Sequence, residues 1–426
     1  MHSKHLPLRL VFLCALAATM VLIAAGPSLA TNGMNMISFG GQEAGMGGAS
    51  LAVSDNAFAT NNNPAGLTQI KNGSLDFGFS LLMPHLEHKD AFAGNVDGES
   101  NMFPLPMFAI AKRIGETPFV FGFGLFGQGG MGAEFENFTT MFGNKDQTYT
   151  NVGYLKATPT LAYQINDQLS VGVAFNVGYA TMEMKMFPST VVPPMPPMLP
   201  MGFAGFELQD IYSLGYGAKF GLQYKPNEQW TLALVYTTRS QLDFDHGKIK
   251  FAAGSGLGTY DASVSGFSWP QSVGVGVSVR PTEKLLLALD VTWYNWANAI
   301  DVVTINYKTP AGEQELPFQM HWKDQIAIAV GAAYDVNERL TLRAGYNYGQ
   351  NPVPDANLSP LFPAITEHHV TAGLGYKFTE NWQVNAAWEH AFENSVTYTN
   401  NGSFFGANAV ERHSQDTVHL FFAYRF

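Results

Sequence analysis

From Ser74 onward the hydrophobic positions recur at every second residue. Leu169, Val171, Val173, Phe175, Val177 and Tyr179 alternate with Ser170, Gly172, Ala174, Asn176, Gly178 and Ala180. Leu214, Tyr216, Ala218, Phe220, Leu222 and Tyr224 repeat the pattern, as do Leu340, Leu342, Ala344, Tyr346 and Tyr348. A period of two is that of a β-strand, whose side chains point to opposite faces in turn. One face of each strand is large and apolar. The other is glycine, alanine or small and polar. The chain ends on the same alternation: Val418, Leu420, Phe422, Tyr424 and Phe426 share a face, and the last residue is aromatic. That is the look of the closing strand of a bacterial outer-membrane barrel, with the large set toward lipid and the small set toward the lumen.

The connections alternate between short and long. Tight polar turns fall at 115–117, 166–168, 226–228, 281–283, 336–338 and 379–381, and long connections at 86–101, 128–150, 185–208, 246–268, 308–321, 352–365 and 399–413. The spacing predicts an all-β fold: a transmembrane antiparallel barrel of about fourteen strands, with short turns in the periplasm and long loops outside. An even count puts both chain ends in the periplasm.

The N-terminus reads differently. Lys4 and Arg9 precede an apolar run from Leu10 to Ala25, and Ser28-Leu29-Ala30 is a small-x-small cleavage site. Residues 1–30 are expected to be a secretory signal peptide. The single cysteine, Cys14, lies inside it. The mature chain would then have neither disulfide nor thiolate ligand. Residues 31–72 are rich in Gly, Ala and Asn and break the strand pattern. They read as a compact segment of short helices and turns, a hatch for the lumen, with residues 73–426 forming the barrel. The small lumen-facing side chains suggest that something occupies the lumen closely.

Composition agrees with that compartment. Hydrophobic residues make up 46% of the chain and charged residues only 13%, against about 25% charged in a soluble domain. The net charge of −11 argues against nucleic acid as a partner. Outer-membrane lipid is the expected surrounding, and a monomer the expected state.

Several features bear on chemistry. The connection at 185–208 carries Met195, Met198, Leu199, Met201, Phe203 and Phe206 among prolines. This is a stiff, adaptable apolar surface suited either to catching a hydrophobic ligand or to capping the mouth. Phe251, Leu257, Phe267 and Trp269 of another long connection are its possible partners. By parity Lys156, Lys219, Asp290, Arg343 and Glu389 face the lumen. The cations Lys156, Lys219 and Arg343 could meet a ligand carboxylate, or pair with the acidic residues and the hatch. The third strand runs into Gly127-Gln128-Gly129-Gly130-Met131-Gly132, which marks a bulge, a kink or a flexible exit into a loop. Other strings carry less. Gly122-x-Gly124-x-x-Gly127 opens no helix, so it is not a dinucleotide fingerprint. His85, Glu87, His88 and Asp90, and likewise Glu367-His368-His369, fit no defined metal geometry. No cofactor or metal is expected, and no enzyme motif is present. A barrel hydrolase, whose Ser, His and Asn lie on neighbouring strands rather than in a motif, is a remote alternative.

The segment before the first strand carries the most specific match. Gly45-Met46-Gly47-Gly48-Ala49, Val53-Ser54-Asp55-Asn56-Ala57 and Asn63-Pro64-Ala65-Gly66-Leu67 resemble the hatch of the long-chain fatty acid outer-membrane transporter (FadL) family, which includes aromatic-hydrocarbon importers. The resemblance implies passive uptake of a hydrophobic small molecule. The outer loops would capture the ligand, a hatch bearing Asn63, Pro64 and Ala65 would gate it, and a kink at Gly127, Gly129 and Gly130 would release it laterally. A general porin for polar solutes, and a surface or structural protein with an immobile plug, are the alternatives. A Gly/Ala-rich lumen speaks against the porin.

Overall fold

A computed structural model describes residues 32–196, 202–400, 404–406 and 408–426. The signal segment and Met198, Leu199 and Met201 lie outside the described residues. The alternating segments form one closed antiparallel barrel of 14 strands, several of them interrupted. In chain order they are β1 (Gly73–Asp90), β2 (Gly94–Asp97 and Phe103–Arg113), β3 (Phe119–Thr139), β4 (Lys145–Ala157 and Thr160–Gln164), β5 (Leu169–Val192), β6 (Phe203–Tyr224) and β7 (Trp230–Thr237 and Ser240–Phe251). Then follow β8 (Thr259–Trp269 and Ser272–Thr282), β9 (Leu285–Tyr294 and Ile300–Thr309), β10 (Gly312–Gln319 and Gln325–Asp335), β11 (Leu340–Gly349), β12 (His368–Lys377), β13 (Trp382–Thr397) and β14 (Val410–Arg425). β1 pairs with β14 from Ser74↔Arg425 to Lys89↔Val410, which closes the ring and leaves no free edge. Phe426 extends the seam through backbone bonds in both directions with Gly73.

The two faces follow the alternation. Val173, Phe175, Leu214, Tyr216 and Phe220 are exposed on the outer surface, while Ser170, Ala174, Asn176 and Ala180 are buried in the lumen. Interruptions occur where the ladder loses a donor or a residue. Pro159 splits β4 and Pro270 splits β8, and proline has no N–H to give.

Four of the expected long loops are largely strand. β3 continues to Thr139 and β5 to Val192, and β7–β8 and β9–β10 form outer hairpins turning at 252–258 and 310–311. These extensions stand beyond the lipid band, where neither face needs to be uniformly apolar, so the period that marks the membrane strands fades. The connection at 350–367 is a true loop but it folds inward. Val353, Leu358, Leu361, Phe362 and Ile365 are all buried in the core of the outer lumen.

The hatch comprises α1 (Gly41–Ala44) and two 3₁₀ turns, Ala57–Thr60 and Pro64–Gln69. Asn56 caps the first turn by accepting from Phe58 N–H at 2.9 Å, and Asn63 caps the second by accepting from Ala65 N–H at 3.1 Å. Pro64 takes the first helical position, where its missing N–H costs nothing. The small lumen residues mark where this segment touches the wall. A Cβ on Gly331 would sit 2.6 Å from Met46, and one on Gly172 2.6 Å from the Ala65 nitrogen. Gly221 and Gly345 face Asn63 and Gly47 more closely still.

Candidate functional site

The wall is incomplete at one place. β2 and β3 pair only from Arg113↔Val120 up to Met107↔Phe126. Beyond that, β3 carries a register shift between Gly127 and Gly129, with Gln128 as the extra residue. Gly129 has φ +146°, a conformation that side-chain-bearing residues rarely adopt. The freed backbone of β3 turns to the N-terminal segment instead. Met36 N–H donates to the Gln128 carbonyl at 3.5 Å, Gly130 N–H donates to the Met34 carbonyl at 3.1 Å, and Asn35 bridges to Gly129. The Gln128 side chain is held from within by Asn35 and Asn61. On the β2 side Leu105 reaches the gap, 2.9 Å from where a Gly127 Cβ would stand. Above it lies a 260 Å³ cavity lined by Phe103, Gly132, Ala133 and Glu134 among others. Thus Gly127, Gly129 and Gly130 sit at a ladder break stitched shut by residues 34–36.

The Asn63-Pro64-Ala65 turn is the tether between hatch and wall. Asn63 Nδ2 donates to the Leu51 carbonyl at 2.8 Å and to the Leu222 carbonyl of β6 at 3.3 Å. A second tether is Asp290, which accepts from Ser50 N–H at 2.6 Å and Leu51 N–H at 2.8 Å. Glu43 of α1 is fully buried and accepts from Asn56 Nδ2 at 2.8 Å, while its second oxygen has no partner. Burial pushes its carboxyl up to about 7, against the lowering effect of Asn56.

The lumen cations divide. Lys156 on β4 and Lys219 on β6 flank Asn176 of β5, close enough to interact electrostatically. Lys219 Nζ donates to the Asn61 carbonyl of the hatch. The nearby Tyr154 hydroxyl, Asn176 amide and Ser213 hydroxyl are buried and unpartnered. An 80 Å³ cavity lies between this region and the hatch, touching Lys219, Asn61, Leu51 and Asp290. It is smaller than the ~150 Å³ that accepts benzene in a dry core, so a ligand needs hatch or loop movement to fit. Arg343 does not join the two lysines. It bonds Asn385 at 3.1 Å and lines a 550 Å³ vestibule on the periplasmic side with Arg280, Lys377 and Arg425. Parity assigned its face correctly but could not give its height.

The apolar loop residues also divide. Phe206 and Phe251 are neighbours across the β6–β7 ladder, both buried, with Phe318 against Phe206 and Tyr260 and Tyr307 against Phe251. Phe203 packs instead on Phe142, Phe187 and Phe404 in a cap over the mouth. Phe267 lies deeper, against Phe244. Met195 and Leu257 are exposed at hairpin tips and join neither aromatic cluster, because the hairpins carry them outward.

Sequence reasoning missed an aromatic row at the strand interruptions. Tyr154, Trp269, Trp296 and Trp322 follow one another with ring centroids 4.6, 6.0 and 5.3 Å apart. The row embraces the N-terminal segment: Trp269 Nε1 donates to Asn35 Oδ1 at 2.7 Å, and Gly33 lies against Trp296. Tryptophans next to Pro270 and at 296 and 322 were the available signal.

The two polar strings that fitted no metal geometry turn some of their histidines into the barrel. His88 sits between Asp90 and Glu411, at 3.0 and 2.5 Å, in a buried cluster with Tyr398. His369 turns inward to Glu389, while His368 faces out to Tyr346. Among the described residues no group of three or more metal-ligating side chains gathers.

A closed barrel with an internal hatch, an apolar outer cap and a wall break stitched by the hatch's own N-terminal segment defines a plugged transport barrel of the outer membrane. Residues 19–426 match the model of a family described as outer membrane protein transport protein (OMPP1/FadL/TodX), and the chain belongs to that family. It is 22% identical to the long-chain fatty acid transport protein of Escherichia coli K12 over 423 residues, covering 90% of this chain and 92% of that one. It is 20% identical to outer membrane protein P1 of Haemophilus influenzae over 416 residues, covering 88% of each. Among solved structures, the toluene transporter TodX of Pseudomonas putida aligns at TM-score 0.77 with 20% identity over 91% of this chain and 99% of that one. The toluene transporter TbuX of Ralstonia pickettii aligns at TM-score 0.75, with 19% identity over 92% and 99%. The protein is therefore an outer-membrane channel of the family that carries hydrophobic substrates.

Proposed function

We propose that this channel takes up long-chain fatty acids passively, releasing them sideways through the break between β2 and β3. The break itself carries the reading. A polar solute gains nothing from a gap into lipid, whereas an apolar chain leaves water there at about 25 cal/mol per Å² of apolar surface. Capture falls to the buried Phe206–Phe251–Phe318 groove and the cap around Phe203. The aromatic row and the space above the hatch hold the chain. Lys156 and Lys219 receive the carboxylate, which distinguishes a fatty acid from a hydrocarbon. Because Lys219 is tied to the Asn61 carbonyl, a carboxylate arriving there competes with the hatch for the same ammonium group and loosens it. No ATP-binding or other energy-coupling motif is read in the sequence, so flux runs down the gradient.

A disulfide tests the exit. Leu105→Cys with Gly127→Cys brings the two Cβ atoms face to face at 3.1 Å, closer than the roughly 3.5–4.5 Å of bridged Cβ atoms, so the strands part by a few tenths of an ångström to take the bridge. Oxidised barrels are expected to stop taking up oleate and to recover on reduction. Full uptake by a completely cross-linked barrel would refute lateral release.

A further inference from the structure

The inner wall formed by β12, β13 and β14 is short of hydrogen-bond donors. His369 Nδ1 lies 3.2 Å from Glu389, and the other Glu389 oxygen lies 3.2 Å from His419 Nε2. Both imidazoles donate to that carboxylate, and Ser80 Oγ then donates to His419 Nδ1 at 2.8 Å. His413 Nδ1 lies 2.9 Å from the Pro363 carbonyl, which only accepts. Each partner thereby sets a tautomer. As neutral imidazoles, His369 and His413 both keep N–H on Nδ1 and present an Nε2 lone pair, and both Nε2 atoms are buried without a partner. Gln415 gives one of its two amide N–H groups to Thr417 Oγ1 at 3.1 Å and leaves Oε1 unpartnered too.

These three acceptors share one patch. Ala391 of β13 pairs with His369 on one side and Gln415 on the other, and His413 is the next inward residue of β14. Between the two long side chains the row holds only a methyl group. His369 and His413 are 0% exposed and Gln415 is 3%. An unmet buried acceptor costs about 1–3 kcal/mol, so a patch of three seeks a donor.

We propose that this patch is a binding station for the hydroxyl group of a neutral, long-chain alcohol, distinct from the carboxylate station at Lys156 and Lys219. An alcohol O–H satisfies one acceptor and its alkyl chain fits the apolar lumen. An ether or an ester offers no donor, and a carboxylate adds charge to a wall that already holds Glu389 and Glu411. The inference rests on the reading that apolar molecules occupy the lumen, and widens it to a second substrate class.

Intrinsic tryptophan fluorescence of the purified barrel, with Trp269, Trp296 and Trp322 as reporters, separates the cases. Dodecane, 1-dodecanol and dodecyl methyl ether are titrated in the same detergent. The alcohol is expected to bind roughly five- to tenfold more tightly than the ether, the worth of one neutral hydrogen bond. Gln415→Leu and His369→Phe are expected to erase that difference while dodecane affinity stays as it was. Equal affinities of alcohol and ether for the unaltered barrel overturn the station without relying on any variant. Failure of dodecane itself to bind overturns the occupancy of the lumen, and the station with it.

Discussion

Asn63→Ala tests whether the hatch is held by a few nameable bonds. The side chain caps its own 3₁₀ turn and reaches two carbonyls, Leu51 within the hatch and Leu222 in the wall. Losing a cap costs about 1 kcal/mol. Leaving a buried carbonyl without its donor costs about 1–3 kcal/mol; the 2.8 Å bond to Leu51 is the substantial one and the 3.3 Å bond to Leu222 the weaker. The docked hatch should lose roughly 2–4 kcal/mol, which multiplies the undocked population about 30- to 1,000-fold. The barrel ladder does not use this side chain, so its heat-modifiable migration on a denaturing gel should not change. Hydrogen exchange read by mass spectrometry should show residues 41–69 exchanging faster while the strands keep their protection. Oleate uptake should fall, because the floor of the ligand site is no longer in place. Unchanged hatch exchange together with unchanged uptake would refute the tether. Collapse of the barrel itself would show that the hatch is part of the folding core rather than a seated plug.

Other perturbations follow the same logic. Gly345→Val places a side chain where Gly47 already stands; the barrel should still assemble, with limited proteolysis cutting the hatch, and a protected hatch would sink the close-contact account. Glu43 ionises at about 7 in the docked hatch against an ordinary 4.5. A carboxyl raised in the folded state favours docking below about pH 4.5, loses that advantage as pH rises to about 7, and is penalised by on the order of 3 kcal/mol above it. Hatch exchange, corrected for the intrinsic rise of amide exchange with pH, should therefore quicken between about pH 4.5 and 7, and Glu43→Gln should flatten the corrected profile; equal pH dependence in both proteins would exclude Glu43 as the cause. Lys219→Met removes both the Asn61 bond and one cation, so the preference for oleate over its methyl ester should shrink, and an intact preference would move the carboxylate elsewhere.

The membrane part of the fold was legible because lipid imposes a strict rule. One face of every spanning strand must be apolar, and a period of two records it over Leu169–Tyr179 or Leu340–Tyr348. The small lumen residues were legible for a related reason: Gly172, Gly221, Gly331 and Gly345 are small because hatch atoms occupy the space of a Cβ. What was not legible lacks such a rule. Period two states which face Arg343 takes, but not on which side of the hatch it falls. The outer hairpins stand in water, so Met195 and Leu257 could be mistaken for parts of a groove. The loop at 350–367 hides Leu358, Leu361, Phe362 and Ile365 among Pro352, Pro354, Pro360 and Pro363, and proline alone reads as exposed turn. The tryptophan row sits where strands are interrupted, so its members share no register that a pattern could count.

The break in the wall links these parts. Its β3 backbone is satisfied by residues 34–36 through two conventional bonds and the Asn35 bridge, each such bond worth about 0.5–1.5 kcal/mol net. The same segment is gripped by Trp269 through Asn35 and packed on Trp296 through Gly33. On the proposed route, a ligand chain sliding along the aromatic row would meet residues 33–36 before the gap. On the proposed route, opening would leave the tethers at Asn63 and Asp290, on β6 and β9, in place. It would require that a chain displace a short segment held by a few bonds and that Asn61 release Gln128. The apolar surface that chain buries is of the right size to offset the loss: some 100 Å² at about 25 cal/mol per Å² gives about 2.5 kcal/mol.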